Sequence, residues 1–387
     1  MEEVMSDNTE MFPEVTPWPE HVEGEELCSS LESCINKYSV MDSAYVIAAM
    51  LWVIFKWLHD VATVSPILNI TSPEKRCGKS TLLTILMRLC FKPLVASNVM
   101  PAVVFRAISK WSPTLLIDEA DTFMGKNDEL RGILNAGHYR DTAHVLRCEG
   151  DNHEPTRFTT WSPKLAAGIG ELSETIIDRS VIIVMRRKRP DERVESIRRA
   201  NPEEFVELTR KIARWAQDNA DIFKDHKPQF IPEIDDRAND NWEPLLSIAE
   251  IVGGELPKKA REAALKLTGT QEEAPSIGEQ LLIDILDVFG NRSDNKIPSI
   301  ELIEKLCEYE EKPWLSWNRG AKITPYQLSK KLKPFEIRPR DIRFSEIIVK
   351  KGYFEADFFD ALSRYAPQFA ATEATEATEA TESENSV

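Results

Sequence analysis

One stretch constrains this chain more than any other: Pro73-Glu-Lys-Arg-Cys-Gly-Lys79-Ser80, set between the apolar run Ile67-Leu-Asn-Ile70 and the helix-forming Thr81-Leu-Leu-Thr-Ile-Leu-Met87. A strand that turns into a helix through such a loop aims backbone N–H groups and a helix N-terminus at an anion. Lys79 then supplies a cation for the β- and γ-phosphates of a triphosphate, and Ser80 a hydroxyl for Mg²⁺. Pro73 stands where such loops usually open with glycine, so the start of the loop is rigid and extended. Gly78 is kept directly before Lys79, where a close phosphate leaves no room for a side chain. Residues 73–81 (Pro73, Glu74, Lys75, Arg76, Cys77, Gly78, Lys79, Ser80 and Thr81) are the candidate phosphate-binding set. Cys77 is either a thiol that sensitises the loop to reagents or simply a small residue that fits.

A second stretch strengthens the first. Thr114-Leu-Leu-Ile-Asp118-Glu119-Ala-Asp121 is a buried-strand run ending in acids. Asp118 suits a Mg²⁺ ligand through water, and Glu119 suits a general base that polarises an attacking water. The alternative is a buried strand followed by an acidic helix start. ATP and Mg²⁺ are therefore the expected substrate and ion.

The alternation of strand and helix over 65–190 predicts an α/β fold with a parallel sheet of the P-loop NTPase type. Residues 1–25 read as a flexible acidic lead-in and 26–190 as the core with its N-terminal helices. Residues 191–268 read as a helical lid, 269–276 as a linker, 277–366 as a small basic domain, and 367–387 as a disordered low-complexity tail. The apolar stretch Ala44–Phe55 is cut by Lys56 and His59, short of the ~20 residues a bilayer requires, and predicts a buried helix. An acidic N-terminus without a basic-then-apolar signal points to the cytoplasm, with no membrane partner. The six cysteines form no C-x-x-C pair, so no disulfide framework or zinc site is expected.

The net charge of −16 argues against nucleic acid until its distribution is read: residues 312–351 carry eleven Lys and Arg against three Asp and Glu. Thr324 as N-cap and Pro325 at the first position start a helix there. A further short element over Ile337–Arg343 and a strand pair over Phe344–Tyr353 would complete a winged-helix-like α+β domain. Lys330, Lys331, Lys333, Arg338, Arg340, Arg343, Lys350 and Lys351 are its candidate phosphate contacts on DNA. The alternative is a basic face docked on the acidic part of the same chain.

The core resembles AAA+ ATPases, and that resemblance implies three further roles. A polar residue ending the strand after the hairpin 143–161 would sense the γ-phosphate, and Ser162 is the candidate. Arg179, between a short helix and the strand Val181–Met185, stands where an arginine finger acts on a neighbouring subunit, which implies a homo-oligomer, a ring or a nucleotide-dependent assembly; a local pair with Asp178 is the alternative. Arg237, at the lid, is a candidate second sensor of bound nucleotide, or a capping and salt-bridge residue beside Asp235, Asp236 and Asp240. Arg186-Arg-Lys-Arg189 reads as a solvated edge. More specifically, Ile70–Ser80, Leu115–Asp121, Asp178–Ser180, Asp236–Leu246 and the stretch from Ile323–Leu328 to Lys351–Tyr353 resemble the P-loop proteins of bacteria, phages and plasmids known as domain of unknown function 3631. The resemblance covers roughly 40–366 and implies an ATPase of mobile elements. A DNA helicase or replication motor is the leading expectation. A nucleotide-dependent switch that assembles with a protein partner is the second.

Overall fold

The computed structural model describes residues 11–365 apart from positions 98, 125–126, 150–152, 171, 270–275, 293, 310, 319 and 346. It divides into two units, Met1–Gln271 and Glu272–Val387, each with its own apolar core. The expected linker and tail fall almost wholly outside the described residues.

The first unit opens with α1 (Gly24–Tyr38) and α2 (Ser43–Leu58). Asp42 caps α2 by accepting from the Ala44 N–H at 3.1 Å, and nearly every side chain of the helix is buried because helices pack on it from several sides. The 19-residue stretch Ser43–Val61 is long and apolar enough to cross a membrane by length and composition, but most of it lies inside this core. The chain continues through β1 (Ile67–Thr71), α3 (Lys79–Leu89), β2 (Pro93–Ala96), α4 (Pro101–Trp111), β3 (Thr114–Ile117), α5 (Ala120–Met124) and α6 (Asp128–Ala136). An antiparallel hairpin follows, β4 (His144–Glu149) with β5 (Glu154–Thr159), then β6 (Lys164–Ala167), α7 (Glu174–Ile177) and β7 (Ser180–Val184).

The five core strands form one parallel sheet in the order β2-β3-β6-β1-β7. All strands run the same way, so the ends of β1, β3 and β6 share one edge and their starts share the other. That division governs where every candidate residue falls.

Helices α8 (Pro202–Asp225), α9 (Asp236–Val252) and α10 (Leu256–Gly269) complete the unit. They do not form a separate lid: they join α1, α2 and the sheet in a single apolar core, with α2 touching all three. Part of the expected loose lead-in is also fixed. Trp18 N–H donates to the Arg210 carbonyl at 2.9 Å, Arg210 donates to the Thr16 carbonyl at 2.9 Å, and Arg210 and Lys211 lie over the Trp18 ring.

The second unit runs α11 (Ile277–Gly290), β8 (Lys296–Pro298), α12 (Ser299–Leu306), α13 (Pro325–Leu332), β9 (Arg340–Arg343), β10 (Val349–Phe354) and α14 (Phe359–Tyr365). Its antiparallel sheet has the order β8-β10-β9. Thr324 caps α13 as expected, in a reciprocal capping box with Gln327. The strand pair differs from expectation: Arg340–Arg343 is itself a strand paired with Val349–Phe354, because Ile342 alternates inward as a strand residue would. On α11, buried Asp284 accepts from Trp314 Nε1 at 2.6 Å and Gln280 at 2.6 Å and pairs with Lys312 at 3.0 Å, so its charge is satisfied.

Candidate active site

The loop after β1 is bent by two left-handed residues, Arg76 at φ 66° and Gly78 at φ 92°. Gly78 is the N-cap of α3, and a Cβ there would come within 3.3 Å of Met185, so both backbone and neighbour favour glycine. Lys79 reaches back across the loop and donates to Ser72 Oγ at 2.6 Å; the buried Ser72 hydroxyl in turn donates to the Glu74 carbonyl at 2.6 Å. Arg187 ties the loop from outside, to Glu74 at 3.0 Å and to the Lys75 carbonyl at 3.3 Å. Cys77 is buried with its thiol toward the Lys75 carbonyl at 3.8 Å, which fits the small-residue reading.

At the same sheet edge, Asp118 and Glu119 follow β3. Asp118 Oδ1 accepts from the Glu119 N–H at 3.0 Å, and Glu119 adopts φ 55°, an unusual backbone for a non-glycine residue and one that clusters at functional sites. Asp121 does a different job: its carboxylate accepts from the Ile169 N–H at 3.1 Å, tying the end of β3 to the end of β6. A Cβ on Gly168 would fall 2.8 Å from that carboxylate, which accounts for the glycine. Gly168 and Gly170 N–H donate to the Ile70 and Ser72 carbonyls at 3.0 and 3.2 Å, so the β6 end also braces the loop.

The Ser80 hydroxyl and the Asp118 carboxylate are hard oxygen donors of the kind Mg²⁺ takes. Among the described residues no group of three His, Cys, Asp or Glu could hold a metal, so an ion here would draw its remaining ligands from substrate oxygens and water.

Residues 76–81 line a cleft of about 480 Å³. Its other walls are Tyr38–Val40, at the end of α1 and just after it, and, following β7, Met185, Arg186, Lys188 and residues 194–198. None of α8, α9 or α10 lines it, so the expected helical lid is replaced by a connecting segment. Arg186 and Lys188, expected as a solvated edge, are exposed and also line this cleft.

Two expected partners of the loop lie elsewhere. Ser162 precedes β6, at the opposite sheet edge, with its buried hydroxyl donating to the Pro113 carbonyl at 2.5 Å. The core strand is Lys164–Ala167, and Arg157–Thr159 belongs to the hairpin, so the strand ends at Ala167 and Gly168 follows it. Arg237 also lies at that far edge: Nη1 donates to Tyr139 Oη at 3.3 Å, and Tyr139 bridges to Val64 ahead of β1. Arg179 sits beside it, its carbonyl accepting from the Ile67 N–H at 2.9 Å and its Nη1 donating to the Thr175 carbonyl at 2.7 Å. Burial first, and Arg237 second, pull the Arg179 guanidinium below its ordinary range.

The same edge buries Lys164, which donates to the Gly137 and Ser162 carbonyls at 2.9 and 2.7 Å and, among the described residues, pairs with no carboxylate; burial lowers its pKa to about 7. His138 is likewise held neutral, at about 3, by burial and then by Arg179, Arg237 and Lys164.

In the second unit Lys330, Lys333, Arg338, Arg343, Lys350 and Lys351 are exposed, and Lys331 lies over the Trp317 ring at 5.1 Å. Arg340 is engaged within the unit, paired with Asp357 and stacked on Phe354 at 4.6 Å. Strand alternation puts the exposed Lys350 and Lys351 on opposite faces of β10.

A family model described as "Protein of unknown function (DUF3631)" matches residues 184–365. An "Uncharacterized 28.9 kDa protein in xis 5'region" of Saccharopolyspora erythraea is 33% identical over 186 residues, 47% of this chain and 69% of that protein. The chain belongs to the DUF3631 family. In this DUF3631 protein the matched residues start at the end of β7, so of the stretches that suggested the resemblance, Asp236–Leu246 and Ile323–Tyr353 lie within the match and the loop does not. Two solved structures of the NrS-1 C-terminal region, both of the apo A form, are similar at 14% identity with TM-scores of 0.43 and 0.41, each covering 88% of this chain and 77% of the other.

Proposed function

We propose that the first unit binds ATP and hydrolyses it as an AAA+-like P-loop ATPase, and that the second grips DNA. The observation that carries this reading is the convergence, at one edge of a parallel sheet, of the glycine-led start of α3 with the acid pair after β3. Between them runs β6, and Gly168, which follows it, packs against Asp121.

Loop amides and Lys79 hold the phosphates, and Ser80 and Asp118 are the residues that would hold Mg²⁺, whose charge offsets that of the triphosphate when it is bound. Glu119 takes a proton from water as the water oxygen attacks the γ-phosphorus. The bond from that phosphorus to the bridging oxygen breaks, and ADP leaves with its electron pair. Arg179 lies at the far edge of its own sheet, so it serves the triphosphate of a neighbouring copy. The cleft walled by Tyr38–Val40 and Arg186 takes the nucleoside.

The order α11, β8, α12, α13, β9, β10 supports a winged-helix-like module, with Lys330 and Lys331 on its third helix and Arg343, Lys350 and Lys351 on its wing. A replication-associated helicase of a mobile element is the setting favoured by the relative in a xis 5' region. A second reading, a nucleotide switch that assembles with a protein partner, draws on the exposed apolar wing tip: Ile347 is 92% exposed beside exposed Ile348 and Val349, a surface suited to protein rather than phosphate. ATP turnover by the full chain, with and without single-stranded or forked DNA, separates them. Stimulation by DNA supports the motor; slow turnover indifferent to DNA supports the switch, and no turnover at all contradicts the ATPase.

A further inference from the structure

We propose that Arg237 acts together with Arg179 on the terminal phosphate of a triphosphate bound in a neighbouring copy of this chain, and not on nucleotide in its own loop. This rests on the ATPase reading. The five residues of β1 stand between the two ends of the site, roughly 16 Å at about 3.3 Å per residue, which puts the chain's own loop beyond the reach of an arginine side chain at the far edge.

At that far edge the two arginines are built into one cluster. Asn241, on the same helix as Arg237, donates to the Asp178 carbonyl at 2.8 Å, next to Arg179. Tyr139 Oη donates to Asp240 and accepts from Arg237, whose guanidinium also lies 5.8 Å from the centre of the Tyr139 ring. These contacts set the position of Arg237 from two sides while the residue stays only partly buried.

The two guanidiniums offer an anion a pair of forks. Arg179 and Arg237 lie near one another, with the buried Lys164 behind them and His138 held neutral; the carboxylates nearby are Asp240, which accepts from Tyr139, exposed Asp178, and exposed Asp235 and Asp236 beside Arg237, of which Asp235 accepts from the Ala238 N–H at 2.8 Å. Two half-buried guanidiniums placed side by side repel one another in the free chain, and a doubly charged phosphoryl oxygen group set between their forks relieves the repulsion with charge-assisted hydrogen bonds. As water attacks the γ-phosphorus and the bond to the bridging oxygen of ADP breaks, charge redistributes over the terminal phosphoryl oxygens and that bridging oxygen, and guanidiniums placed there stabilise it more than the ground state, so the contribution falls on turnover more than on binding. Tyr139 and Asp240 are positioning residues in this arrangement.

The test uses full-length protein. Arg237→Ala should lower ATP turnover by at least tenfold while ATP affinity changes less than threefold, and Arg237→Lys, which keeps charge and fold but not the fork, should lie between. Mixing Arg237→Ala with Lys79→Ala should restore turnover above the sum of the two alone, because a mixed interface joins an intact loop to an intact pair of arginines. Tyr139→Phe should show a smaller loss in kcat with KM unchanged. Wild-type turnover combined with no rescue in any mixture, or a loss of ATP affinity as large as the loss of turnover, overturns the trans assignment and leaves the ATPase standing. A wild-type protein that hydrolyses no ATP overturns both.

Discussion

The Lys79 ammonium lies 2.6 Å from the hydroxyl of Ser72, and that hydroxyl is itself fixed by the Glu74 carbonyl. The lysine is therefore held across its own loop by a residue that closes β1, and an incoming phosphate replaces one weak acceptor by a charged one. Ser72→Ala should free the lysine and leave the Glu74 carbonyl short of a donor. We expect KM for ATP to rise several-fold with kcat changed less, and stability to fall by about 1 kcal/mol. Steady-state kinetics and a denaturant melt check both; an unchanged KM contradicts the positioning role.

Lys164 gives the fold a pH dependence of known sign. Burial holds it near 7 in the folded chain against 10.5 as an ordinary lysine. Between those values the unfolded chain binds a proton at this site that the folded chain does not, so stability rises with pH across that window, by up to about 1.4 kcal/mol per unit from this group. Below about 7 both states are protonated and the full cost of the buried charge remains. Thermal melts of wild type and Lys164→Met between pH 6 and 10 should therefore converge as pH rises, and a constant gap contradicts the assignment.

The basic module should separate two kinds of arginine and lysine. Changing Lys330, Lys331 and Arg338 to Glu should weaken DNA binding, and log affinity of the wild type should fall with log salt by about 0.7–0.9 per phosphate contacted. Arg340→Glu should instead lower the melting temperature of the second unit, because Arg340 is paired with Asp357 and stacked on Phe354. Gel shifts at several salt concentrations and differential scanning calorimetry distinguish the effects. Equal loss of DNA binding from both variants would make Arg340 a contact after all.

The parts of the site that were legible in the sequence are those coded by neighbouring residues. Residues 67–81 and 114–121 each contain a whole strand-to-helix junction, and Thr324-Pro325 contains a whole helix start, so local chemistry is enough to read them. Ser162 and Arg237 fall elsewhere for a shared reason: their positions depend on which strand lies beside which. Lys164 is the clearest obstacle, since a lysine opening a four-residue buried strand reads as a loop until the Gly137 and Ser162 carbonyls that satisfy it are known. The lid expectation failed similarly. Helical spacing over Glu203–Asn219, Asn241–Val252 and Pro257–Leu267 falls within α8, α9 and α10, but periodicity marks an apolar face without naming what covers it, and here α2 covers it.

The most direct test of the account compares ATP binding and ATP turnover in wild type, Lys79→Ala and Glu119→Gln, purified and matched for thermal stability. The account predicts turnover in the wild type, loss of both binding and turnover in Lys79→Ala, and retained binding with turnover reduced at least a hundredfold in Glu119→Gln, since Lys79, Ser80 and Asp118 remain in place to hold the triphosphate. Lys79→Ala turning over ATP at the wild-type rate would contradict it.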